Sequence, residues 1–190
     1  RHLNETKYRW SWDKGLFKEM TGSASWNMFG SLAAITFTQG LNLLLNMFFG
    51  PVVNAARGIA VQAQTAIGQF SSNFQTALNP QITKSYATGD MEYMHGLIFR
   101  SAKFSFFLLL LLSLPVLIET KAILTLWLKI VPDHTVVFLR IMLCTTWVYA
   151  VSNPLITAAS ATGKIKLYQS VVGGLLLLIL PISYLCLRFG

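Results

Sequence analysis

From residue 23 onward, apolar positions come in long runs that approach or exceed the roughly 20 residues needed to cross hydrocarbon as a helix. They predict membrane helices over 23–49, 52–84, 93–118, 134–160 and 164–188. Each interruption has a local cause. Gly50 and Pro51 make a tight turn, Thr88, Gly89 and Asp90 break the chain after the second run, Val131, Pro132 and Asp133 precede the fourth, and Ala161, Thr162 and Gly163 end it. Between Lys121 and Lys129, the residues Leu124, Leu126, Trp127 and Leu128 predict a short surface-lying helix with an aromatic anchor. The expected fold class is an all-α polytopic membrane protein of about five transmembrane helices. A basic cytoplasmic connecting segment over 1–22 precedes a helical bundle over 23–190.

The second run is unlike the others. On a wheel of about 100° per residue, Asn54, Arg57, Gln62, Gln64, Thr65, Gln69, Ser71, Ser72, Asn73, Gln75, Thr76 and Asn79 fall within roughly 200°. Ile59, Ala60, Ala63, Ile67, Phe70, Phe74 and Leu78 make the complementary apolar stripe. Polar side chains at membrane depth are tolerated where they face protein or water, so this arc predicts the wall of a hydrophilic pathway inside a bundle. The alternative is that its amides bridge neighbouring helices. The first run repeats the theme with Asn27, Ser31, Thr38, Gln39, Asn42 and Asn46 on one side. Joined by a tight turn, the two helices would turn their polar faces to one cavity.

Composition agrees with this membrane assignment. The chain is 54% hydrophobic and only 12% charged, with mean hydropathy +0.54, against roughly 25% charged residues in soluble domains. Its net charge of +8 is distributed by side. Arg1, Lys7, Arg9, Lys14, Lys18, Lys84, Arg100, Lys103, Lys164 and Lys166 fall at one set of helix ends; Lys121, Lys129, Arg140 and Arg188 fall at the other. The richer side is expected in the cytoplasm, with the N-terminal segment. Cations dispersed between spans also argue against nucleic-acid binding, which needs a basic patch on a soluble surface.

No catalytic apparatus, metal-ligand spacing or cofactor motif is visible, so neither an enzyme nor a cofactor is expected. Cys144 and Cys186 lie inside apolar runs as small buried hydrophobes, and His2, His95 and His134 are scattered near span ends. Arg57 is the sharpest candidate for binding chemistry: it lies on the polar arc, and a guanidinium grips phosphate or pyrophosphate in bidentate fashion. Snorkelling to the nearby interface is its alternative. Lys84, at the other end of that helix, either meets an anionic headgroup or sets topology. Pro154, within Ser152-Asn153-Pro154, and the Gly50-Pro51 turn are candidate hinges.

The segments Phe49-Gly50-Pro51-Val52-Val53-Asn54-Ala55-Ala56-Arg57-Gly58-Ile59-Ala60, Asn79-Pro80-Gln81-Ile82-Thr83-Lys84-Ser85-Tyr86-Ala87-Thr88-Gly89-Asp90 and Pro154-Leu155-Ile156-Thr157-Ala158-Ala159, with Thr162-Gly163-Lys164, carry a resemblance. On them the chain resembles the O-antigen and capsule polysaccharide flippases of the multidrug, oligosaccharidyl-lipid and polysaccharide exporter superfamily, over nearly its whole length. The resemblance implies two pseudo-symmetric helical bundles around a central cavity, with this chain an internal piece covering most of the second bundle, from about the seventh helix to the eleventh. The implied cargo is an undecaprenyl-pyrophosphate-linked oligosaccharide moving from the cytoplasmic to the periplasmic leaflet of the bacterial inner membrane during polysaccharide biosynthesis. Membrane lipids, the polysaccharide polymerase and its chain-length machinery are the implied partners. Arg57, Asn54, Gln64, Gln69, Asn73, Asn79, Gln39, Asn42, Asn46 and Lys84 are then the expected substrate-binding residues. A cation-coupled multidrug exporter of the same superfamily is the second reading, weakened because Glu119, near a span end, is a poor candidate for an ion-binding membrane carboxylate. A non-transporting scaffold subunit, with its polar helix packed on other proteins, is the third.

Overall fold

The computed structural model describes residues 13–163 and 165–189. The segment 1–12 and Lys164, at the edge of the fifth expected span, lie outside the described residues. Five helices follow in order: α1 (Lys14–Ala87), α2 (Met91–Ile118), α3 (Thr120–Leu128), α4 (Thr135–Ala161) and α5 (Ile165–Phe189). Four of them, all but the short α3, are long and apolar enough to cross a membrane. The described residues contain no strand, and the chain is an all-α, multi-pass membrane protein.

The first two expected spans form one element that breaks at Gly50, where φ is 81° and ψ 175°. Pro51 has no N–H to carry the helical ladder across the break. The arms 14–49 and 51–87 fold back on each other, as the hydrogen bond between Asn42 and Arg57 requires. In a straight helix those residues would lie roughly 22 Å apart, beyond the reach of both side chains. The helix also begins at Lys14, so part of the expected connecting segment over 1–22 is continuous with the first arm. The other breaks fall where expected: Gly89 and Gly163 have positive φ, Asp90 caps α2 by accepting from the Tyr93 N–H at 3.0 Å, and His134 enters α4 in the left-handed region.

The arms pack differently. The first arm runs parallel to α5, with Asn27 beside Gln169, Phe48 edge-on to Tyr184, and Gly40 close enough to Leu180 that an added Cβ would lie 2.7 Å from it. The second arm packs against α2 and runs parallel to α4. It is fixed by one apolar cluster at each end: Ala60 with Leu124, Leu139 and Leu143, and Ile82 with Met94, Ile98 and Ala158. Between them the packing is made by small and polar residues, Ser71, Gln75, Ser101, Ser105 and Ser113, all buried. Lipid tails are as apolar as leucine, so close backbone approach and interhelical hydrogen bonds are what hold such helices together.

The cysteines need a correction. Both are exposed, because Cys144 continues the exposed stripe of Val137, Ile141, Val148, Val151 and Leu155 along the apolar outer face of α4, and in a membrane protein that face is where apolar residues belong.

The bend gives a first prediction. At Gly50 a Cβ meets no neighbour, so backbone geometry alone is tested; that φ/ψ region is essentially restricted to glycine and costs other residues about 1–3 kcal/mol. Gly50→Ala should lower the thermal midpoint in detergent accordingly. Gly58→Ala, in open space within a regular helix, should be neutral or stabilising by about 0.5–1 kcal/mol. Equal effects of the two substitutions would show that the bend is not set at Gly50.

Candidate functional site

The polar arc of the second arm divides into two parts. One part turns into the bundle and bonds α4 in parallel register. The Gln64 Nε2 donates to Thr146 Oγ1 at 2.8 Å, the Gln75 Nε2 donates to the Ala150 carbonyl at 2.7 Å, and the Thr157 hydroxyl donates to Asn79 Oδ1 at 3.2 Å. The middle contact has a specific cause. Pro154 has no N–H, so the carbonyl four residues earlier, that of Ala150, loses its helical donor. Buried Gln75 supplies the replacement and accepts from the Asn153 side chain at its other end. An unpaired carbonyl at that depth costs several kcal/mol on the order expected in hydrocarbon. Nearby, the Trp147 indole N–H donates to buried Ser113 at 2.8 Å, while the hydroxyls of Ser101 and Ser105 have no partner among the described residues.

The other part of the arc stays open. Gln62, Thr65, Gln69, Ser72, Asn73 and Thr76 are exposed, with Gln69 donating to Asn73 at 2.8 Å. Where the two parts meet there is a groove of about 220 Å³, lined by Gln64, Thr65, Gly68, Gln69, Ser71, Ser72, Gln75, Thr146, Tyr149 and Ala150. None of these side chains is charged.

Arg57 lies on the face of Gln64, two turns nearer the bend. It is half-buried, and its guanidinium donates to the Asn42 side-chain oxygen of the first arm. The Asn42 amide in turn donates to Gln39 at 3.4 Å. The two polar faces therefore meet across the bend, with a cation at the junction. Beyond it, toward Gly50, an apolar groove of about 350 Å³ is lined by Leu45, Phe49, Val53, His134, Val137, Phe138 and Ile141. At the far end of the second arm, Lys84 lines a polar groove of about 380 Å³ with Gln81, Ser85, Thr88, Asp90 and Tyr93.

The expected binding residues are thus spread along both arms. Arg57, Asn42 and Gln39 come together; Gln64, Gln69 and Asn73 border the open stripe; Asn54 is half-buried near the bend, and Asn46 is exposed on the first arm. Asn79 is committed to Thr157, and Lys84 stands apart at the helix end. Gly50 and Pro51 form the bend, and Pro154 is buried inside a helix that continues through it. Sequence reasoning did not single out Tyr149, Thr146 or the Gln75–Ala150 contact. The last had a signal, since a mid-helix proline marks the carbonyl it strands, but which side chain answers depends on the packing of a separate helix. No group of histidines, cysteines and carboxylates suited to a metal occurs among the described residues.

Fold and site together define a polytopic helical membrane protein with a cation and an uncharged polar groove on one bent helix. No family model, curated protein or solved structure matches the chain.

The Gln75 contact yields a double-variant test. Gln75→Leu leaves the Ala150 carbonyl unpaired and should destabilise by about 1–3 kcal/mol. In a Pro154→Ala background, residue 154 regains an N–H for that carbonyl, so the same substitution should cost measurably less. Additive effects in detergent unfolding would show that Gln75 does not serve the carbonyl that Pro154 strands.

Proposed function

We propose that this chain belongs to a flippase that moves an undecaprenyl-pyrophosphate-linked oligosaccharide from the cytoplasmic to the periplasmic leaflet of the bacterial inner membrane, supplying O-antigen or capsule synthesis. The observation that carries this reading is the half-buried Arg57 at the head of an open, uncharged amide and hydroxyl stripe within a membrane-spanning helix. In hydrocarbon such a stripe would be stripped of its hydrogen bonds. Facing a hydrated pathway, it exchanges hydrogen bonds with sugar hydroxyls. A pyrophosphate-linked glycan crossing bare lipid would lose hydration on the order of tens of kcal/mol, and a polar groove removes most of that barrier. The residue pattern Phe49-Gly50-Pro51-Val52-Val53-Asn54-Ala55-Ala56-Arg57 carries the family resemblance at the same place.

In this mechanism Arg57 exchanges the Asn42 amide for phosphate oxygens, a stronger, charge-assisted and bidentate contact. Asn42, Gln39, Asn46 and Asn54 line the same approach. Gln64, Gln69 and Asn73 follow the glycan along the second arm, while Asn79 holds that arm to α4 through Thr157. Lys84 meets the pyrophosphate at the cytoplasmic mouth, the side favoured by the distribution of basic residues. The Gly50–Pro51 bend and Pro154 are where helices flex as access alternates. Polymerase and chain-length proteins receive the exported unit.

The test is made in cells that assemble a lipid-linked glycan, comparing wild type with Arg57→Ala and Arg57→Lys at matched membrane abundance. Arg57→Ala should reduce surface glycan by at least about tenfold, equivalent to about 1.4 kcal/mol, with precursor accumulating in the cytoplasmic leaflet. Arg57→Lys should retain part of the export, since it keeps charge and loses the bidentate fork. Cysteines at Gln69 and Asn73 should react with water-soluble maleimide; protection of both would favour the scaffold reading. Unchanged export after deletion of the protein would end the flippase reading.

A further inference from the structure

Three grooves at the bend and along the second arm differ in chemistry, and the difference orders the cargo. The groove at the bend is walled by Leu45, Phe49, Val53, Val137, Phe138 and Ile141, with His134 its one polar side chain. The one at Lys84 is charged, with that cation and the Asp90 carboxylate in the same lining. The mid-bundle groove has no charge at all. It sets the exposed ring of Tyr149, on α4, opposite the amides and hydroxyls of Gln64, Thr65, Gln69 and Ser72 on the second arm.

That combination suits one ligand chemistry. A sugar ring has hydroxyls around its edge, each both donor and acceptor, and a face of C–H bonds that rests against an aromatic ring. Amide side chains likewise donate and accept. The Nε2 of Gln64 donates to Thr146, which orients the amide, and the Gln64 side chain lines the groove. Tyrosine offers a flat apolar surface at small entropic cost, and pockets that combine an aromatic wall with a few placed polar groups orient their ligands well. A charged phosphate would find no counter-ion here.

We infer that the mid-bundle groove is a subsite for a single uncharged sugar ring, stacked on Tyr149, and that this ring is the one joined directly to the phosphate. Arg57 and Gln64 are seven residues apart on one face, a rise of roughly 10 Å. Phosphate held by the outstretched guanidinium therefore places its first sugar at the groove, and the rest of the glycan runs on past Asn73. Tyr149 is then a specificity residue, reading the sugar while Arg57 reads the phosphate. The inference rests on the lipid-linked oligosaccharide reading above, and its test separates the two.

Binding to the purified full-length protein in lipid nanodiscs is measured with farnesyl pyrophosphate and with farnesyl pyrophosphate bearing glucose, galactose or N-acetylglucosamine. At least one sugar-bearing probe should bind wild type about tenfold more tightly than the bare lipid. Tyr149→Leu should abolish that increment and leave affinity for the bare lipid unchanged; Tyr149→Phe should keep it. Ser72→Leu, which fills the groove from the opposite wall at an exposed position, should also abolish it. Arg57→Ala should weaken all probes alike. Matched thermal midpoints for the variants confirm that the fold is intact. If no sugar adds affinity, or if the increment survives both Tyr149→Leu and Ser72→Leu, the subsite inference is overturned while the role of Arg57 stands. If Arg57→Ala changes nothing, the pyrophosphate reading falls instead.

Discussion

A backbone carbonyl in hydrocarbon must find a donor, and the arrangement of this bundle follows from how that demand is met at Ala150. Pro154 removes the donor that the helix would have provided, and Gln75 of the second arm replaces it. Because the replacement comes from another helix, satisfying the carbonyl also fixes the register of the second arm against α4. Gln64 with Thr146 and Asn79 with Thr157 then fall into line above and below. The apolar clusters at the two ends close the assembly, but apolar contacts slide easily in lipid. The buried hydrogen bond in the middle is what specifies one alignment over its neighbours.

The bend at Gly50 has the complementary effect. A left-handed residue followed by proline is the shortest way to reverse a membrane helix, and it brings the polar faces of both arms toward the same space. Arg57 sits where those faces meet. Its bond to Asn42 gives the cation a neutral partner, so the guanidinium is held in place without being neutralised. An arginine paired with a carboxylate would have little affinity left for phosphate; one held by an amide keeps its full charge. The first arm, meanwhile, packs along α5 while the second packs along α4, and the two arms are tied together at the Gly50 bend and by the Arg57–Asn42 bond.

Much of the fold was legible in the sequence because membrane helices obey a length rule and break at residues with special backbone chemistry. Gly50, Gly89, Asp90 and Gly163 all act where the sequence placed a break, and the short helix between Lys121 and Lys129 forms. The helix extends back to Lys14, further than the apolar run that marks the span, because a length rule for hydrocarbon does not report how far a helix continues outside it. Cys144 was misplaced for a related reason: periodicity reports which residues share a face, and burial reasoning borrowed from soluble proteins assigns the apolar face to the interior. In lipid the apolar face of α4 turns outward.

The polar arc was legible as an arc, but not in its division. Gln64, Gln75 and Asn79 look the same in sequence as Gln69, Asn73 and Gln62; what separates them is the position of α4, whose partner residues lie 75 to 82 residues further along the chain. Of the inward amides, Gln75 and Asn79 hold helices together while the open ones have hydrogen-bonding capacity to spare. Helix bridging therefore accounts for one side of the arm, while the amides on the other side stay exposed. Gln64 stands at the boundary, with its nitrogen bonded to Thr146 and its side chain lining the groove. A ligand in that groove acts on a side chain already bonded to α4, three residues from Tyr149 and two helical turns from Pro154. The groove lining and the packing of the proline-containing helix are thereby linked through one amide.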